Sequence, residues 1–235
     1  MGPMTARMTN EAPPVTVDRR DGPHGEVALR RRGDGPDAAY EIIANGCFLM
    51  DTGDGRSERL LVNAAMDALL PGTAEPSVLI GGLGVGFSLA EAAARPGWAR
   101  ITVVEREQAV VDWHRQGHLA PFSRGALDDP RVEIVLADLV GHIRTTRETF
   151  DALCLDIDNG PDWTVTDDNS GLYGPTGLAA LHTRLTPGGV LAVWSAQPSA
   201  PFEERLRERF TDVVTLEVPV DRGVPDVVHI ARRKA

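Results

Sequence analysis

The run Ser77-Val78-Leu79-Ile80-Gly81-Gly82-Leu83-Gly84-Val85-Gly86-Phe87, followed downstream by Ile101-Thr102-Val103-Val104-Glu105, decides the fold. An uninterrupted apolar run bounded by glycines reads as a buried parallel strand. Glycines at its end let the backbone turn tightly and approach a ligand. An acid ending the next strand is placed to accept hydrogen bonds from both hydroxyls of a ribose. Gly82, Gly84, Gly86 and Glu105 are therefore the expected nucleoside-binding residues. The spacing Gly82-x-Gly84-x-Gly86 departs from the dinucleotide pattern, and Phe87 sits where a third glycine would admit a pyrophosphate. No Gly-Lys-Ser/Thr follows, which removes the triphosphate loop. S-adenosylmethionine or a relative of it fits better, having a ribose and an adenine but no phosphate.

From Ser77 onward the pattern alternates. Expected strands are Ser77–Gly81, Arg100–Glu105, Val132–Ala137, Ala152–Asp156 and Val190–Trp194. Expected helices are Val85–Ala94, Glu107–Gly117, Val140–Thr146, Thr176–Leu185 and Pro201–Phe210. This order predicts an α/β fold, a Rossmann-like parallel sheet with helices on both faces. Val213–Pro219 and Asp226–Ala231 are joined by only Val220 to Pro225, so they must pair as an antiparallel hairpin. A parallel sheet ending in such a hairpin is the class I methyltransferase pattern. Upstream, Ser57–Leu70 has helical spacing and stops at Pro71-Gly72, and Glu26–Arg32 and Ala38–Met50 read as a β-hairpin region. The expected division is a disordered tail over 1–14, a small β region over 15–55 and a transferase domain over 56–235.

Ligands in this architecture bind where the strands end. Asp138 follows an apolar strand and is placed for the adenine amino group, with Leu139 as an apolar wall, for capping the next helix, or for both at once. Asp156 ends another strand, beside the expected sulfonium. A carboxylate there can stabilise a cationic ligand, orient a nucleophile or take its proton. Asp158 and Asn159 follow it, as acceptor-binding candidates. The stretch from Asp162 to Tyr173 is long for a connection and reads as a binding loop. In it Trp163 and Tyr173 either close over an acceptor or pack on the sheet. His114 and His118 share a helix face and read as solvated. No metal-ligand cluster is seen.

The chain has 235 residues and a formal charge of -10, which disfavours nucleic acid. No segment reads as a membrane span. The two cysteines, Cys47 and Cys154, read as buried free thiols in a reducing cytoplasm.

From roughly Gly46 to Ala231 the chain resembles the spermidine synthase (polyamine aminopropyltransferase) family. The resemblance rests on Val78 to Gly86, Val103-Val104-Glu105, Asp129 through Asp138, Asp151 to Pro161, and Leu172-Tyr173 through Leu191. It implies a small N-terminal β-domain, an oligomer (a homodimer is expected), and aminopropyl transfer from decarboxylated S-adenosylmethionine to an amine. It also implies that Glu105 holds the ribose, Asp138 the adenine, and that Asp156 is the catalytic acid. Three departures stand out. Gly84 occupies the position of an acid that, in the family, helps hold the aminopropyl ammonium. Asn159 replaces the second carboxylate of Asp-x-x-Asp. The family's Tyr-His-Glu is missing from the stretch Arg59 to Ala65. Because an acid near the tail would repel the carboxylate of intact S-adenosylmethionine, Gly84 favours the intact cofactor. The leading expectation is methyl transfer to a small-molecule acceptor. Aminopropyl transfer is the alternative, and a nucleoside-binding scaffold without turnover is a second one.

Overall fold

Asn45 and Gly46 both adopt left-handed backbone, with φ of 49° and 78°. Asn-Gly in this conformation closes a two-residue hairpin. In the computed structural model this turn splits the expected Ala38–Met50 segment into two strands. The structure describes residues 13–22, 24–157, 159–162, 164, 167–220 and 223–234. Most of the expected tail lies outside these residues, as do Asp158, Trp163, Asp221 and Arg222.

One unit runs to Gly53 and a second begins at Asp54. The first is a four-stranded antiparallel sheet in sequential order: β1 (Val15–Gly22), β2 (Gly25–Arg32), β3 (Ala39–Ala44) and β4 (Cys47–Asp51). Two strands more than expected are present, because β1 is too polar to announce itself by alternation. The one deeply buried acid of this sheet, Glu41, is paired with Arg30 at 2.8 Å and with Arg32. Cys47 lies in β4 and is exposed, which corrects the expectation that both thiols are buried; Cys154 is fully buried.

The second unit opens with α1 (Arg56–Asp67). It continues with β5 (Ser77–Gly81), α2 (Phe87–Ala94), β6 (Arg100–Glu105), α3 (Gln108–Arg115) and the short α4 (Ala120–Ser123). Then come β7 (Val132–Leu136), α5 (Leu139–Thr145), β8 (Phe150–Leu155), α6 (Asp167–Tyr173), α7 (Pro175–Arg184), β9 (Leu185–Ser195), α8 (Ala200–Arg209), β10 (Thr211–Val218) and β11 (Asp226–Arg232). The sheet order is β10-β11-β9-β8-β5-β6-β7. β7, β6, β5, β8 and β9 pair in parallel, whereas β11 pairs antiparallel with both β9 and β10. The order turns at β5, so the crevice at a topological switch point opens above its carboxyl end.

β5 is buried along its whole length, as an apolar central strand must be. Asp151 ties the other end of the sheet together: it accepts from the Ser77 N–H and hydroxyl and from the Thr186 hydroxyl at 2.8–3.0 Å. Arg131 donates to the carbonyls of Arg95 and Trp98 at 2.9 and 3.1 Å while paired with Asp129. The Asp129-Pro130-Arg131 stretch thus closes the turn after α2 and sits at the amino end of β7, away from the carboxyl ends of the strands. On one face, Leu139, Ile143, Phe150, Leu178, Leu181, Phe202 and Leu206 join the strands in a continuous apolar core.

Candidate active site

Gly82, Gly84 and Gly86 take φ of 91°, 49° and 93°, so the loop after β5 is left-handed at alternate positions. Side chains would also not fit. A Cβ on Gly82 would lie 2.5 Å from the carbonyl oxygen of Asp156, and one on Gly86 would lie 2.7 Å from the His114 ring. The first contact joins the glycine loop to the end of β8, and the backbone bond from Asp156 N–H to Gly81 O, 3.0 Å, holds it there.

Glu105 reaches the loop from the end of β6. Its Oε2 accepts from the Leu83 N–H at 2.9 Å and its Oε1 from the Glu107 N–H at 2.8 Å. Burial raises its carboxyl above the ordinary range, and backbone bonds from Glu107, Leu83 and Gly84 offset only part of that rise. Each carboxylate oxygen has a second lone pair, so the group still has acceptor capacity for hydroxyls.

Asp138 caps α5, its Oδ2 accepting from the Gly141 N–H at 2.7 Å. Leu139, the first residue of that helix, is buried over Gly81, where a Cβ would meet its methyl at 2.5 Å. Asn159 uses its backbone carbonyl to accept from Ala196 N–H at 3.0 Å, tying the loop after β8 to the end of β9. Gly160 must lack a side chain because Ser195 is against it. Tyr173 is buried, with its ring edge-on to Phe202 at 5.8 Å. Of its two expected placements, the structure takes the packed one, because α6 turns the ring into the apolar core. The other two acceptor-site expectations, Asp158 and Trp163, lie outside the described residues.

The structure adds acids that strand-end reasoning did not reach. Glu58, in the first turn of α1, is buried; the Ser57 hydroxyl lies 3.1 Å from its carboxylate and 2.9 Å from that of Asp226. Burial, joined by the charges of Glu58 and Asp226, pushes the Asp156 carboxyl well above the ordinary range. Burial also raises Glu58, aided by Asp226 and Asp54, and burial raises Asp226. Asp226 was missed because an antiparallel strand begins, rather than ends, at the ligand end of the sheet: Val227 pairs with Ser195 at the carboxyl end of β9. Among the described residues, no group of three or more His, Cys, Asp or Glu is arranged to hold a metal ion. No described helix is long and apolar enough to cross a membrane.

These carboxyls all have folded-state pKa values above their unfolded ones. The folded protein therefore binds the extra protons more tightly, and ionisation of the trio costs stability at pH above the folded values. That cost fades as pH falls toward the ordinary carboxylate range. Glu58→Gln or Asp226→Asn keeps an acceptor for Ser57 and removes one charge. Each is expected to raise the melting temperature at about pH 7.5 by about 2–4 °C, with the gap closing toward about pH 4. A melting temperature at or below wild type throughout that range would contradict the strained trio.

The spermine/spermidine synthase domain model matches residues 64–206, which include the glycine loop, Glu105, Asp138 and Asp156. The chain belongs to the spermine/spermidine synthase family. A polyamine aminopropyltransferase of Pseudomonas aeruginosa is 32% identical to this family member over 147 residues, 58% of this chain and 40% of the relative. One from Mycobacterium tuberculosis is 29% identical over 199 residues, 83% of this chain and 35% of the relative. The matches thus span well under half the length of these curated relatives. A spermidine synthase solved with the transition-state analogue AdoDATO superposes with a TM-score of 0.75 at 19% identity, covering 93% of this chain and 73% of its own. The spermidine synthase of Thermotoga maritima superposes at 0.71.

These relatives overturn the leading expectation of methyl transfer, since the matched proteins are aminopropyltransferases and spermidine synthases. The physical fault in that expectation was to weigh one missing carboxylate, at Gly84, as if it set the charge of the whole site. Asp156, Glu58 and Asp226 supply carboxyls there without it.

Proposed function

We propose that this protein is an aminopropyltransferase, moving the aminopropyl group of decarboxylated S-adenosylmethionine to a small aliphatic amine. The observation that carries the reading is the acidic trio beside the glycine loop. Three carboxyls strained by burial and mutual charge favour cations, and a donor tail ending in an ammonium is favoured over one that also bears a carboxylate. Glu105 accepts from the ribose hydroxyls, and Leu139 and Asp138 flank the adenine. Asp156 takes the proton of the attacking amine. The amine nitrogen forms a bond to the aminopropyl carbon as the carbon–sulfur bond breaks. The electron pair of that bond neutralises the sulfonium, leaving the thioether 5′-methylthioadenosine. A base whose pKa is raised above the ordinary carboxylate range suits this transfer. The reading carries with it a transferase domain over 56–235 preceded by a small β region, a homodimer and a cytoplasmic location.

The test is product formation. Protein incubated with decarboxylated S-adenosylmethionine and a panel of aliphatic di- and polyamines is expected to release 5′-methylthioadenosine stoichiometrically with an aminopropylated amine, both read by mass spectrometry. Intact S-adenosylmethionine is expected to bind at least about tenfold more weakly. No thioether release with any amine, or tighter binding of the intact form, would overturn the reading.

A further inference from the structure

His114 is buried on α3, which corrects the expectation of a solvated helix histidine. Its Nε2 lies 2.9 Å from the carbonyl oxygen of Gly84, and its Nδ1 lies 3.0 Å from the Ser123 hydroxyl. A carbonyl only accepts, so Nε2 carries the hydrogen. Nδ1 of the neutral ring then accepts from Ser123. The ring also fills the space a Gly86 side chain would need, and Ser123 Cβ stands 2.9 Å from that same point. One ring thus bonds Gly84 and occupies the space beside Gly86. A second contact runs beside it: Phe122, next to Ser123, meets Phe87 edge-on at 6.2 Å, and the Arg59 guanidinium lies 4.6 Å from the centre of the Phe87 ring. Side chains of α3 and α4 thus meet the loop at Gly84 and Gly86, and Phe122 of α4 and Arg59 of α1 meet Phe87, the residue that follows it.

We propose that His114 is a positioning residue for the nucleoside donor: by gripping the Gly84 carbonyl against Ser123 it holds the glycine loop in the conformation that accepts the ligand. This rests on the reading that the loop binds a nucleoside. The reason is geometric. Glycines at three alternate positions give the loop many conformations, and a loop that must be ordered on binding weakens the ligand's affinity by the population of its competent form. A buried side chain that bonds the middle carbonyl selects that form in advance. His114 touches no reacting atom, so its effect falls on donor binding and not on the acceptor.

Calorimetry with 5′-methylthioadenosine and with decarboxylated S-adenosylmethionine separates the outcomes. His114→Phe keeps a ring but loses the donor, and is expected to weaken both nucleosides about tenfold while leaving the KM of the amine unchanged. His114→Gln places an amide N–H near the same point and is expected to bind within about threefold of wild type. Wild-type affinity in the Phe variant, failure of the Gln variant to recover, or a parallel rise in the KM of donor and acceptor would overturn the role. Should the Phe variant not fold, Ser123→Ala replaces it, with about threefold weaker donor binding expected and unchanged binding overturning the proposal. Wild-type protein that binds neither nucleoside would overturn the reading of the loop itself. Binding without turnover on any amine would overturn the transferase reading and leave the role of His114 standing.

Discussion

Asp156→Asn is expected to lower turnover by about 10²–10⁴-fold while leaving the affinity for 5′-methylthioadenosine within about threefold of wild type. The substitution keeps the size and a hydrogen-bonding face but cannot take a proton. Its neutral amide also removes the repulsion from Glu58 and Asp226 that raises the Asp156 carboxyl. Loss of rate should therefore come without loss of fold, and the melting temperature should hold or rise. The pH dependence makes the assignment sharper. In wild type the rate should climb as Asp156 ionises, at a pH well above the ordinary carboxylate range, because burial and its two acidic neighbours raise it. The Asn variant should lose that limb. Single-turnover release of the thioether across pH checks both statements. A rate within tenfold of wild type would remove Asp156 from the chemistry.

Gly82→Ala should damage both stability and turnover. Alanine at φ 91° is strained by about 1–3 kcal/mol wherever it stands. Here the new methyl would also sit 2.5 Å from the Asp156 carbonyl, which cannot retreat freely because Asp156 N–H is bonded to Gly81 O. Forcing atoms into packed surroundings adds about 1–3 kcal/mol. At about 2–4 °C per kcal/mol for a domain of this size, the melting temperature should fall by roughly 5–20 °C. Whatever folds should turn over at least about 10²-fold more slowly, since displacing a catalytic group by an ångström has that scale of effect. Gly117→Ala is the control. Its φ is 99°, but nothing lies within 4 Å of the new methyl, so only the backbone strain remains. Equal losses in the two variants would show that the Asp156 contact is not what requires Gly82.

Local pattern was enough to place β5, the glycine turn and Glu105, and their geometry follows from it. Continuous apolar strands, alternating helices and a final hairpin too short for a crossover leave few topologies. The placements of Glu105 beside Leu83 and of Asp156 beside Gly82 follow from that topology, because Glu105 ends, and Asp156 directly follows, a strand adjacent to β5. Small features were misjudged where local signals are weak. By its length the stretch from Asp162 to Tyr173 reads as a binding loop, yet Asp167–Tyr173 is helical and turns Tyr173 into the core. The Asn45-Gly46 pair, by contrast, is a strong local hairpin signal, and it divides the expected Ala38–Met50 segment into β3 and β4.

By itself, the amino-acid order determined the layered α/β architecture, the glycine-rich loop after β5 and the strand-end acids, because periodicity and glycine placement are local properties of the chain. Only the tertiary structure decided the charge of the site and the support of its loop. Glu58, Asp156 and Asp226 are distant in sequence and come from a helix, a parallel strand and an antiparallel strand. His114 meets Gly84 thirty residues away. Electrostatic strain and preorganisation depend on distances through space, and no spacing along the chain encodes them.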